Sequence, residues 1–243
     1  QDVKNTLQST SKLLKKNSNM LKLVNSNRFL AVLWVTLMLS VCISAYGILH
    51  APVDYLQGVY AKIMYIHIPA AWLTMSLFMA IALFSGLYLV FKSPHFDHIA
   101  AAIAPIGLIF NLIALFTGSL WGKPTWGTFW VWDARLTSMF IQLCIYMIYL
   151  IVRKSAVNEV KAATAAGFFA VFAAINIPII KFSVYLWNTL HQKSSIITLS
   201  GPKIHSSMLW PLFTSLIFFV SIATIAAVLH LRLHMAKRRN AKK

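Results

Sequence analysis

MYIHIPAAWLTMSLFMAIALFSGLYLVF, residues 64–91, contains no Lys, Arg, Asp or Glu. A helix needs roughly 20 mostly apolar residues to cross the hydrocarbon of a bilayer. This run exceeds that length, so it must tilt or project beyond the membrane. Five more runs of the same kind lie around it, at about 29–49, 99–120, 136–152, 162–182 and 207–231. Lys181, at the edge of the fifth run, is the one charged residue in all six. The runs lack period-two alternation and are too long for barrel strands. The predicted fold is therefore all-α, an integral membrane bundle of six transmembrane helices over 29–231. Basic tails at 1–28 and 232–243 flank it, and no internal repeat is visible.

Composition agrees. Of 243 residues, 59% are hydrophobic and 11% charged, and the mean hydropathy is +0.71. Soluble domains carry about a quarter charged residues, and disordered chains need low hydrophobicity, so both classes are excluded. The net charge of +17 invites a nucleic-acid reading. The positive-inside rule explains it better, because cytoplasmic loops of membrane proteins collect Lys and Arg. The tails together with the 92–98 and 153–161 loops hold 16 basic residues. The opposite set, Lys62, Lys123, Arg135, Lys181, Lys193 and Lys203, numbers 6. Both termini are therefore expected in the cytoplasm, with 50–63, 121–135 and 183–206 on the outer side. The basic start leads into a full-length span with no clear small-residue cleavage site, so no cleavable signal peptide is expected.

Several chemistries drop out. Cys42 and Cys144 both lie in apolar runs, and no CxxC, CxxCH or zinc spacing exists, which disfavours thiol-redox, apocytochrome c and zinc modules. Lys123 follows Gly122 but precedes Pro124, and no P-loop is present. Asp54 and Asp133 are the outer carboxylates, thin material for acid–base catalysis. An enzyme is not expected.

The outer segment 121–135, WGKPTWGTFWVWDAR, holds Trp121, Trp126, Trp130 and Trp132, four of the eight tryptophans. Interfacial belts are rich in tryptophan, but this density exceeds what anchoring needs. Gly122, Pro124 and Gly127 argue against one continuous helix here. The segment reads as a folded aromatic ledge on the membrane surface, suited to a large flat apolar ligand. Asp133, Arg135 and Lys123 offer charges for such a ligand's periphery, Arg135 being suited to carboxylates. A local Asp133–Arg135 ion pair is the plainer alternative.

Eight histidines are present. His95 and His98 read as solvated residues beside Asp97. His230 and His234 have helical spacing but stand at a basic helix end. His50 and His205 have no companion pattern. His67, in YIHIPAAW, and His191, in WNTLHQ, lie near the outer ends of different spans. Both could approach the tryptophan ledge from the same side. A pair of imidazoles beside a flat aromatic pocket is what bis-histidine haem ligation needs; a histidine taken alone is more often a polar residue at a helix end.

At these residues the chain resembles a known family. The stretch 121–138, with its tryptophan-rich signature, resembles the haem-handling membrane proteins, and within them the CcmC family of the cytochrome c maturation system. YIHIPAAW at 65–72, APIGLIFNLIALFTGSLWGKP at 104–124 and NIPIIKFSVYLWNTLHQ at 176–192 fit the same family. Phe129 stands where some relatives have another tryptophan. The resemblance implies that His67 and His191 are axial ligands of haem b. It places Trp121, Trp126, Trp130, Trp132 and Asp133 in the haem-binding signature, with Arg135 and Lys123 toward the propionates. It also implies delivery to the periplasmic haem chaperone CcmE, with CcmD and the CcmA–CcmB ABC transporter as partners in the bacterial inner membrane. The mitochondrial inner membrane is the equivalent alternative. A rival reading is a b-type cytochrome electron carrier, which would usually place haems at two depths; a permease with an aromatic gate would need midplane polar groups, and the spans show almost none.

Overall fold

The computed structural model describes residues 26–155, 158–193, 196 and 201–240, with backbone alone at 234–235 and 237–240. The basic residues Lys4 to Lys22, Lys242 and Lys243, and the side chains of His234 and Lys237 to Arg239, therefore lie outside the described residues.

Seven α-helices make up the described fold: α1 Asn27–His50, α2 Met64–Phe91, α3 Pro94–Trp126, α4 Ala134–Ser155, α5 Glu159–Ala173, α6 Asn176–Leu186 and α7 Ser206–Asn240. A 3-10 turn, Val59–Ile63, leads into α2. α5 and α6 together form the fifth span, so six helical segments are long and apolar enough to cross a membrane. The protein is a multi-pass membrane protein of the expected all-α class.

Local sequence sets the ends. Ser26 caps α1, its Oγ accepting from Phe29 N–H at 3.3 Å. Asn158 caps α5, accepting from Val160 and Lys161 N–H at 2.9 and 3.3 Å. Pro94 occupies the first turn of α3, where its missing N–H is harmless.

Two expectations need correction. The tryptophan segment is not a ledge from its first residue. α3 continues through Gly122 and Pro124 to Trp126 and stops at Gly127 (φ 80°). Pro124 lacks the N–H that would bond the Leu120 carbonyl and its ring crowds that oxygen, but it stands only two residues before the helix end, so a single turn bears the cost. The 33-residue helix is about 50 Å long at 1.5 Å per residue, well beyond the roughly 30 Å of hydrocarbon. The fifth span is not one helix either. Pro178 removes the donor that Ala174 would need, and 3-10-type bonds (Ile175 N–H to Phe172 O, Ile177 N–H to Ala174 O) break the chain between α5 and α6.

Packing centres on α2 and α3, which run antiparallel and meet along their length, with α4, α5 and α7 around them. α1 packs chiefly on α7. Asp97 is 5% exposed and takes a bidentate pair from Arg153, at 3.0 and 2.6 Å. That pair ties the start of α3 to the end of α4, and His98, expected as a solvated residue, is instead mostly covered there, with Nδ1 3.7 Å from the same carboxylate. The interior is also more polar than the sequence suggested: Thr74, Asn111, Ser138, Gln142 and Asn176 are all buried.

Candidate functional site

The starts of α2 and α4, the end of α3 and the irregular stretch after α6 meet at one end of the bundle. They enclose a cavity of about 310 Å³, within the size range of small-molecule sites. His67, Trp121, Trp126, Trp130, Arg135 and His191 all line it.

His67 projects from α2 against α3. Its Nδ1 lies 3.0 Å from the Ala114 carbonyl and 3.2 Å from Thr117 Oγ1. The Thr117 hydroxyl donates to Ile113 O at 2.6 Å, so its oxygen accepts from the imidazole. Nδ1 thus carries the proton and Nε2 is left as a lone-pair donor. Gly118 gives the ring its space: a Cβ there would stand 2.9 Å from His67 Cε1. One turn on, Gly122 does the same for Trp126, whose Cε3 would lie 2.9 Å from an added Cβ.

His191 comes from the segment beyond α6. Its Nδ1 faces the Gln192 carbonyl at 3.3 Å, which again leaves Nε2. Burial, and then the nearby Arg135 guanidinium, push its imidazole down to about 4, so the ring is neutral at pH 7. The His67 and His191 ring centroids are 6.3 Å apart, with planes at 33°. Trp121 sits edge-on to His67 at 5.8 Å, and Trp126 lies 6.0 Å from His191.

Polar groups complete the wall. Arg135 donates from Nη1 to the Ile180 carbonyl at 2.6 Å. Among the described residues no carboxylate lies within 4.0 Å of its guanidinium. Trp121 Nε1 donates to Gln57 Oε1 at 2.8 Å. The buried Trp130 Nε1 has no partner among the described residues.

Other sequence-derived candidates stand elsewhere. Trp132 is 72% exposed and lies edge-on against Trp130 at 5.4 Å and Phe140 at 6.0 Å, outside the cavity wall. Lys123 donates to the Gly127 carbonyl at 3.1 Å and lies over the Phe129 ring, also outside the wall. Asp133 caps α4, accepting from Leu136 N–H at 2.8 Å. Its second oxygen accepts from Leu190 N–H at 3.1 Å, which tethers the stretch that carries His191. His50 bonds the Tyr46 carbonyl and His205 caps α7 through Ser207. Gln57, Trp72, Gly118 and Gln192 are wall residues that the sequence reading did not single out. The i, i+4 glycines of 118 and 122 were the available signal.

The fold and site define a class: a multi-pass helical membrane protein with an aromatic pocket at one end, two imidazoles close together in its wall and a guanidinium beside them. Residues 12–243 match the family described as CcmC, Heme exporter protein C, and the chain belongs to that family. It is 41% identical over 228 residues to "Heme exporter protein C" of Bradyrhizobium diazoefficiens, covering 91% of this chain and 84% of that one. It is 40% identical over 195 residues to the protein of the same name in Escherichia coli K12, covering 80% and 79%. A mitochondrial protein of Marchantia polymorpha, named as ccmC-like in cytochrome c biosynthesis, is 46% identical over 182 residues, covering 75% and 77%.

Proposed function

We propose that this protein binds haem b in the pocket, with His67 and His191 as axial ligands, and passes it to the chaperone CcmE for c-type cytochrome biogenesis. The observation that carries the reading is the facing imidazole pair. Two iron–nitrogen bonds of about 2 Å plus about 1 Å from each nitrogen to its ring centre put axial imidazole centroids roughly 6 Å apart. The 6.3 Å separation, with both Nδ1 atoms bonded to oxygen and both Nε2 atoms left for a metal, fits that arrangement. A hydrogen bond at the far ring nitrogen is how ligating histidines are normally oriented.

The remaining wall suits the same cargo. Trp121, Trp126 and Trp130 offer apolar and edge contacts to a porphyrin. Arg135 and the unpartnered Trp130 N–H await an anionic group such as a propionate. Trp132, exposed beside them, belongs to the surface on which an acceptor would dock. Asp133 acts by holding the His191 segment, and Lys123 stands at the rim. The names of the relatives, heme exporter and cytochrome c biosynthesis proteins, support this direction.

The basic-residue asymmetry supports an orientation with both tails cytoplasmic and the pocket end on the outer side, which in a bacterial inner membrane is the periplasm. CcmD and the CcmA–CcmB transporter are the expected partners, and this chain supplies orientation and electrostatics while haem supplies the reactivity. Titrating the purified protein with haem tests the reading. A low-spin bis-imidazole spectrum is expected, lost in His67→Gly and His191→Gly and partly restored by added imidazole. An unchanged spectrum in both variants refutes the ligand assignment. Reporter fusions at 125 and 240 should fall on opposite sides of the membrane.

A further inference from the structure

One helical turn beneath the pocket floor lies a polar layer that the haem reading does not use. α3 and α4 run antiparallel, and contacts at two levels fix their register. An added Cβ at Gly107 would fall on the Tyr146 ring. Thr74 Oγ1 donates to Gly107 O at 3.1 Å, and Tyr146 OH donates to Thr74 O at 2.6 Å. At the other end, Gly118 of α3 and Arg135 of α4 share the pocket wall. Between these levels, Asn111 lies one turn above Gly107 and Gln142 one turn above Tyr146, so the two amides come level with each other. Both are completely buried.

The amide orientations follow from their partners. Asn176 Nδ2 donates to the Ser138 backbone carbonyl at 3.0 Å. A carbonyl only accepts, so that atom of Asn176 must be its nitrogen. The same Nδ2 donates to Gln142 Oε1 at 3.0 Å, which fixes Gln142 in turn. Gln142 Nε2 is left without an acceptor, and Asn111 has neither its Oδ1 nor its Nδ2 bonded. A donor and an acceptor thus stand level on neighbouring helices, each unsatisfied and each sealed from bulk solvent.

We infer that an internal water molecule occupies this layer, accepting from Gln142 Nε2 and donating to Asn111 Oδ1. Water is the ligand class because the unsatisfied atoms are neutral amide donors and an amide acceptor, and a buried water needs two to four such partners. The bridge joins α3 and α4, and through Asn176 it joins α6. These are the helices that carry Gly118, carry Arg135 and lead into His191. The water would therefore hold the pocket floor in register.

Radiolytic hydroxyl labelling of the wild-type protein in membrane nanodiscs, in ¹⁸O-water, reads this directly, because a bound water marks the side chains beside it. Tyr146, completely buried below the layer, should take up label several-fold faster than Phe110, which is 3% exposed in an apolar cluster, after correction for intrinsic reactivity. Asn111→Leu should abolish that excess and lower Tm, since Gln142 then loses its bridge. Equal labelling of Tyr146 and Phe110 overturns the inference. So does an excess that persists in Asn111→Leu, or a Tm that rises because two orphaned atoms have been removed from a dry site. None of these readings depends on haem binding, so they stand or fall apart from the proposed function.

Discussion

Replacing Gly118 with Ala adds one methyl group 2.9 Å from His67 Cε1 and 3.3 Å from its Nδ1. The ring cannot yield freely, because Nδ1 is held at 3.0 Å by the Ala114 carbonyl and at 3.2 Å by Thr117 Oγ1. Relief requires the ring to turn away from α3, which gives up a hydrogen bond worth about 1 kcal/mol or accepts an overpacking cost of about 1–3 kcal/mol. Charged against the ligand-ready geometry, 1–3 kcal/mol weakens haem affinity roughly 5- to 150-fold. Global stability should move much less, because Ala is favoured over Gly within a helix by roughly 0.5–1 kcal/mol. The assay is a haem titration followed by absorbance, beside a thermal melt of the haem-free protein. Gly86→Ala is the matched control: its Cβ would meet Val171 Cγ2 at an ordinary 3.7 Å, and its affinity should equal that of the wild type. Affinity in Gly118→Ala within twofold of Gly86→Ala would refute the claim that this glycine sets the imidazole.

Arg135→Gln should weaken binding of haem more than binding of its dimethyl ester, compared by the same titration, if the guanidinium meets carboxylates. Trp126→Ala together with Trp130→Ala should lower haem retention while the protein stays in the membrane; each lost aromatic contact is worth about 1 kcal/mol beyond its buried area, so retention and CcmE loading are measured in the double variant. The haem-free fold should lose stability as pH falls. The folded His191 imidazole is held down to about 4 by burial and Arg135, below an ordinary histidine near 6.5. The unfolded chain therefore binds more protons between those values, and the loss runs from about pH 6.5 to about pH 4. Melts of His191→Gln across that window should show a shallower dependence.

The six spans were legible because a bilayer demands long uncharged runs, and 64–91 meets that demand by itself. The two histidines and three of the four signature tryptophans were legible as a neighbourhood, since helix ends on one side of a bundle must gather. What the sequence could not show was direction. Trp132 faces away from the cavity because α4 begins two residues later and Asp133 is spent capping it. Lys123 sits on the last turn of α3, and Gly127 supplies the carbonyl it bonds. Gln57 comes to the site with a long-range bond to Trp121, 64 positions further along the chain. The polar layer at Asn111, Gln142 and Asn176 was hidden for another reason: each residue is a single amide in an apolar run, and only the antiparallel register brings them level.

The two walls that carry the imidazoles are built with different bonds. His67 is set in α2, where moving it means breaking helix hydrogen bonds and unpacking α3. His191 sits on a non-helical stretch that bonds the cap of α4 from Leu190 N–H to Asp133, with Thr189 Oγ1 donating to the His191 carbonyl. Local opening follows the weakest attachment, so amide exchange should be fast on the His191 wall and slow on the His67 wall. If haem is held between these two walls, as proposed, it should leave through the side with the weaker attachment. Its departure would then answer to the loop bond at Asp133 rather than to the helix packing of the membrane bundle.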